Sequence, residues 1–127
     1  MNLNKKMLSI AIGLGLGLSV SFAGSASAAD EVYIPMISKG FQHQFWQAVK
    51  AGADQAGKDL KVKVTFEGPE TEAMVDKQID MLSAALAKKP AAIGFAALDS
   101  KAAIPLLKKA QDATVPVIAF DSGVDSD

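Results

Sequence analysis

The feature that most constrains this chain is a change of hydrophobic period that repeats along it. Short apolar runs at strand spacing alternate with longer stretches at helical spacing. Val32-Tyr-Ile-Pro-Met-Ile37 is rich in β-formers and ends at Ser38-Lys39-Gly40. Pro35 inside it is tolerable at an edge or at a position that makes no ladder bond. From Gln44 to Leu60 the spacing is helical, with Phe45, Ala48, Val49, Gly52, Ala56 and Leu60 predicted as the inward stripe. Val62 to Phe66 alternates like a strand and stops at Gly68-Pro69. Thr71 is the expected N-cap of a second helix, which carries Val75, Gln78, Ile79, Leu82, Ala85 and Leu86 inward and closes at Lys88-Lys89-Pro90. Ala91 to Ala97 is small and apolar on both sides, as a strand buried on both faces would be. Asp99 or Ser100 is the expected cap of a third helix with Ile104, Leu107 and Ala110 inward, and Pro105 predicts an irregular start. Val115 to Phe120 is a fourth strand, running into Asp121-Ser-Gly.

A β-α-β-α-β-α-β order with short links predicts an α/β fold: a Rossmann-like parallel sheet with right-handed crossovers and flanking helices, for which the expected strand order is 2-1-3-4. In such sheets ligands bind outside the carboxyl ends of the strands. The function is therefore expected in four segments: Ser38 to Trp46, Glu67 to Thr71, Leu98 to Lys101, and Asp121 onward.

The first 28 residues fall outside this alternation. Lys5 and Lys6 precede an apolar run from Leu8 to about Ala23, and Ala26-Ser27-Ala28 fits a small-residue cleavage pattern. This is the layout of a signal peptide, so residues 1–28 are expected to be removed on export to the periplasm or outside the cell. The run is short for a membrane span and is interrupted by Gly13, Gly15 and Gly17.

Composition excludes several classes. Among 127 residues there is no Cys, which removes disulfides, thiolate metal sites and Cys nucleophiles. A single His rules out a multi-histidine metal centre. The net charge is -1 and all the positive charge is Lys, with no Arg, which argues against a nucleic-acid partner. The sequence holds no phosphate loop, nucleophile elbow or zinc-protease motif. No catalytic residue, metal or cofactor is assigned. Asp121, Asp125 and Asp127 lack the spacing of a calcium loop.

The residues that suit a ligand are polar and aromatic. Phe41, Phe45 and Trp46 fall in the first loop, with Gln42, His43 and Gln44 between them. Trp46 lies one residue off the expected stripe and is predicted to stand over the crevice as a stacking face. An aromatic face packs on the axial C–H groups of a sugar, while Gln42, His43 and Gln44 supply donors and acceptors for hydroxyls. Asp121, directly after the fourth strand, can accept from two vicinal hydroxyls. Asp99 doubles as a cap and a candidate ligand contact.

With these residues in place the chain resembles the ribose-type periplasmic sugar-binding proteins, the solute receptors of ABC transporters, whose ligand-binding fold is shared with LacI-type repressors. The most specific pieces are Ser38 to Trp46 and Val115 to Gly123. The resemblance implies a type I binding-protein fold in which two lobes close on a monosaccharide, with delivery to an ABC permease. It implies that Phe45 and Trp46 pack on the sugar ring, that His43 takes the place of a hydroxyl-binding Asn, and that Asp121 is the cleft Asp. That Asp is commonly followed by Arg; here Ser122 follows. The ligand-contact set is then Gln42, His43, Phe45, Trp46, Asp99, Asp121 and Ser122. Family members run to about twice this length or more, so residues 29–127 are expected to form a partial N-terminal lobe. The rival reading is a fragment of a secreted α/β carbohydrate-active enzyme.

Overall fold

The computed structural model describes residues 30–125. The expected leader, its cleavage site and Asp127 lie outside the described residues. Four strands and three helices follow one another in the expected order: β1 Tyr33–Ile37, α1 Gln44–Leu60, β2 Lys63–Glu67, α2 Val75–Ala87, β3 Ile93–Phe95, α3 Ile104–Asp112 and β4 Val117–Ala119. The strands form one four-stranded sheet, β2-β1-β3-β4. Every pairing is parallel, with Met36 opposite both Phe66 and Gly94, and Phe95 opposite Ala119. The sheet order and direction are those expected.

Because side chains alternate across a strand, the sheet carries two cores. Ile37, Ile93, Phe95 and Ala97 pack with Leu82 and Ala85 of α2 and Ala103 before α3. On the other face Phe66 and Ala96 pack with Trp46 and Ala53 of α1, with Met36, Val49, Val64 and Phe120 around them. So α1 covers one face while α2 and α3 share the other, as crossovers leaving β1 in opposite directions require. The short strand β3 is buried at all three residues, which fits its apolar, two-sided sequence. Pro35 is buried in a strand paired on both sides, not at an edge, but pairing with β3 begins only at Met36, so its missing N–H breaks no bond of that ladder.

Three local expectations are corrected. The buried face of α1 is Trp46, Ala53 and Gly57; Phe45 is 51% exposed and Leu60 71%. Gly57 decides this register. A Cβ there would come within 3.1 Å of the Val62 carbonyl and 3.2 Å of a Val64 methyl, so the helix lies on β2 through its small residues. The second helix begins at Val75, not after Thr71, and its N-cap Met74 makes no side-chain capping bond. Residues 71–73 instead form a turn closed by Met74 N–H on the Thr71 carbonyl at 3.2 Å. Likewise Asp99 does not cap α3, whose N-cap is Ala103. Its Oδ1 accepts from the N–H groups of Lys101 (2.9 Å) and Ala102 (2.7 Å), capping the irregular turn that precedes Pro105.

Candidate functional site

The order β2-β1-β3-β4 reverses direction at β1, since the chain passes from β1 to β2 on one side and returns to β3 on the other. In open parallel sheets, ligands bind where the two connections diverge, beyond the carboxyl ends of the strands at such a reversal. Four loops meet that edge: those after Ile37, Glu67, Phe95 and Ala119.

The loop after β1 is held tightly. Ser38 is fully buried, and its Oγ donates to the Gly40 carbonyl at 2.5 Å, with the Glu67 carbonyl at 3.1 Å. Gly68 of the neighbouring loop rests against this turn; a Cβ there would overlap Ser38 Oγ and lie 2.7 Å from the Gly40 oxygen. Gly40 in turn faces the Trp46 indole, 3.1 Å from where its own Cβ would be. The loop therefore projects Lys39 from a fixed base. The Lys39 Nζ meets Asp121 Oδ2 at 2.7 Å, with the two side chains 23% and 32% exposed. The Asp121 hydrogen bond holds the Lys39 amine above its ordinary value of 10.5; burial opposes that shift, and the Asp121 and Glu72 charges add to it.

Asp121 occupies a special backbone position. Its φ is 61°, while the other described non-glycine residues with positive φ, Lys61, Lys89 and Thr114, each sit within two residues of a helix end. Ser122 N–H donates back to the Phe120 carbonyl at 2.7 Å, closing a three-residue turn around Asp121. The turn aims the carboxylate across the edge toward Lys39, two strands away. Asp is among the few residues that tolerate this region.

The aromatic pair is placed differently from expectation. Trp46 is 2% exposed and belongs to the α1-side core, with its Nε1 donating to Glu72 Oε1 at 2.9 Å. Phe45 is the ring that meets solvent. It stands edge-on to Trp46, ring centroids 4.8 Å apart. His43 is the N-cap of α1, its Nδ1 accepting from Phe45 N–H at 3.1 Å. That bond leaves Nε2 as the protonated, outward donor of the neutral ring. Gln42 and Gln44 are exposed beside it. Ser122 is committed to structure: its Oγ donates to the Ala97 carbonyl at 2.7 Å and its own carbonyl accepts from Ala97 N–H at 3.1 Å. Asp99 is exposed on the loop after β3, its carboxylate held below the ordinary 3.8 by the N–H groups of Lys101 and then Ala102.

Neither Lys39 nor Glu72 belongs to the ligand-contact set expected from the sequence. A Lys in a Ser-Lys-Gly turn carries no signature, and Glu72 reads as a first-turn helix acid. The adjacency of Lys39 to the end of β1 was the one available signal.

A match to the periplasmic binding protein domain spans residues 34–127. The chain belongs to the periplasmic binding protein family. Among solved structures, it is 44% identical to a carbohydrate transporter solute-binding protein from Agrobacterium radiobacter, in complex with D-arabinose (TM-score 0.72), covering 78% of this chain and 33% of that one. An ABC transporter, LacI family transcriptional regulator from Brachyspira murdochii is 42% identical (TM-score 0.70; 74% and 29% covered). An ABC transporter solute-binding protein from Agrobacterium vitis with bound D-fucose is 37% identical (TM-score 0.70; 74% and 33% covered). The chain thus spans about a third of the length of these three proteins. Both the family and the fold agree with the resemblance drawn from Ser38–Trp46 and Val115–Gly123.

Proposed function

We propose that this chain supplies one wall of a monosaccharide site in a solute receptor that works outside the cytoplasmic membrane and delivers its sugar to an ABC permease. The observation that carries the reading is the Lys39–Asp121 pair, 2.7 Å apart and partly open to solvent, at the carboxyl edge of the sheet. An ammonium offers donors and a carboxylate offers acceptors, so side by side they match hydroxyls that both give and take hydrogen bonds. The exposed Phe45 ring supplies an apolar face, and His43 Nε2–H and the Gln42 amide lie on the same loop. Trp46 backs Phe45 from beneath; Ser122 and Asp99 hold the loops that frame the edge. The two solved relatives with bound D-arabinose and D-fucose support a sugar of this size. In this reading residues 29–127 form part of the N-terminal lobe, residues 1–28 direct export, and no covalent chemistry takes place.

The test is titration of the chain with D-arabinose and D-fucose, followed by NMR of backbone and sugar resonances. Binding should move the Lys39, Phe45 and Asp121 signals and return the sugar unchanged. Shifts confined to other faces would refute the site, and a new sugar product would refute the receptor reading.

A further inference from the structure

Helix α2 buries one polar side chain in its apolar face. Gln78 is 1% exposed, one turn before Leu82. Its amide makes three hydrogen bonds, all to backbone outside its own helix. Nε2 donates to the Ser38 carbonyl at 2.9 Å and to the Ala96 carbonyl at 2.7 Å; Oε1 accepts from Leu98 N–H at 3.0 Å. Ser38 is the first residue past β1, and Ala96 and Leu98 lie just past β3. The side chain thus acts where ladder pairing stops. An amide suits the place because it presents two donors and an acceptor on one neutral group. An apolar residue of the same length would fill the volume and leave those carbonyls and that N–H without partners.

The tie is one link in a series that crosses the carboxyl edge. The carbonyl of Glu67, the last residue of β2, takes Ser38 N–H at 2.8 Å; Gln78 joins Ser38 to Ala96 and Leu98; Ala97 is bonded twice to Ser122 after β4. All four strand ends are therefore connected in their spatial order. Lys39 follows Ser38 directly and Asp121 precedes Ser122, so the ion pair hangs from both ends of the central part of this series. We infer that Gln78 is a positioning residue for the binding edge: by fixing the separation of the β1 and β3 ends it sets where Lys39 and Asp121 meet. It touches no ligand. The inference rests on the sugar-site reading above for its functional consequence, though not for its structural content.

The test compares Gln78→Glu and Gln78→Met with Leu82→Ala, a core truncation one turn along the same helix. All three should lose stability. In the Gln78 variants, without sugar, the backbone resonances of Ser38, Lys39, Leu98 and Asp121 should move, and D-arabinose affinity should fall at least about tenfold beyond any loss in Leu82→Ala. Unmoved strand-end resonances, or an affinity loss no larger than that of Leu82→Ala, would overturn the inference. If the Gln78 variants do not fold, amide exchange in the unaltered chain decides. Leu98 N–H donates to Gln78 rather than to a strand, so it should exchange as slowly as Phe95 in β3; exchange at the rate of an exposed loop amide overturns the clamp. Should the unaltered chain bind neither D-arabinose nor D-fucose, the sugar-site reading fails, and the strand-end resonances and the Leu98 exchange rate alone accept or reject the clamp.

Discussion

The Trp46 indole N–H donates to the Glu72 carboxylate across 26 residues of sequence, joining the start of α1 to the loop after β2 at 2.9 Å. This bond satisfies the only polar atom of a ring that is otherwise packed among Phe66, Ala53 and Ala96. The turn at residues 71–73 brings Glu72 to the N–H edge of the indole. Trp46→Ala should therefore cost about 3–5 kcal/mol of stability, as other buried Trp truncations do. Glu72→Ala should cost only about 0.5–1.5 kcal/mol, because the carboxylate lies toward solvent. Denaturant midpoints check both. A Trp46→Ala variant as stable as the parent would mean that the ring is not part of the core.

Phe45 gives the opposite pattern. Half of its surface is exposed, and its one described aromatic partner is the Trp46 edge. Phe45→Ala should change stability by no more than about 0.5–1 kcal/mol while lowering D-arabinose affinity severalfold, since an aromatic contact is worth roughly 0.5–1.5 kcal/mol. Calorimetry and unfolding on the same sample separate the two effects. Unchanged affinity would remove Phe45 from the site.

The Lys39–Asp121 pair has a pH signature. Its hydrogen bond raises the Lys39 amine above 10.5, so the folded state holds that proton more tightly than the unfolded chain. The pair's contribution is complete below about 10.5 and is lost as pH rises through the higher folded value. Because both side chains are partly exposed, solvent and salt screen the pair and its worth is at most about 1 kcal/mol. Lys39→Met should flatten this alkaline limb of the stability profile and weaken sugar binding. An identical limb in the variant would assign the titration to another group.

The parallel sheet was legible because the period of the apolar residues changes six times along the chain, and each change marks an element; the strand order came from the fold expected for such an alternation, not from the period itself. Which of two adjacent residues turns inward was not legible at Phe45-Trp46. Neighbours on a helix point about 100° apart, and α1 is so rich in Ala and Gly that either register gives an apolar stripe. The choice was made elsewhere, by the close approach of Gly57 to Val62 and Val64 and by the distant acceptor Glu72. The same holds for the site. Asp121 was visible as the residue after a strand, but its partner Lys39 lies 82 positions earlier and two strands away, a proximity that only the sheet order creates. Gln78 was visible only as a member of an inward stripe, since its three partners are backbone groups that carry no residue identity.

Gly68 shows how little room the two loops leave each other. A methyl group at this position would overlap Ser38 Oγ and approach the Gly40 carbonyl to 2.7 Å. The obstacle is fully buried Ser38 and backbone rather than a flexible tip, so the loops must separate. Gly68→Ala should destabilise by about 1–3 kcal/mol, the usual cost of overpacking. It should also disturb the Lys39 resonance, because Lys39 lies between the two groups that are struck. Stability and the Lys39 signal both unchanged would show that the loops are not locked against one another.

Strand β4 borders β3 on one side, and on its other side no strand pairs with it among the described residues. Val117 packs on the α2–α3 core, so alternation turns Ile118 to the opposite face, where it is 66% exposed. An unpaired strand edge beside an exposed β-branched side chain is a template for pairing with another chain. A polypeptide of residues 1–127 alone is therefore expected to self-associate through this edge as its concentration rises. Ile118→Lys should reduce that association, since a charge at an edge opposes strand addition, while leaving stability nearly unchanged because the side chain is already in solvent. Sedimentation of parent and variant over the same concentration range makes the comparison. Equal association in both would place the contact on another surface.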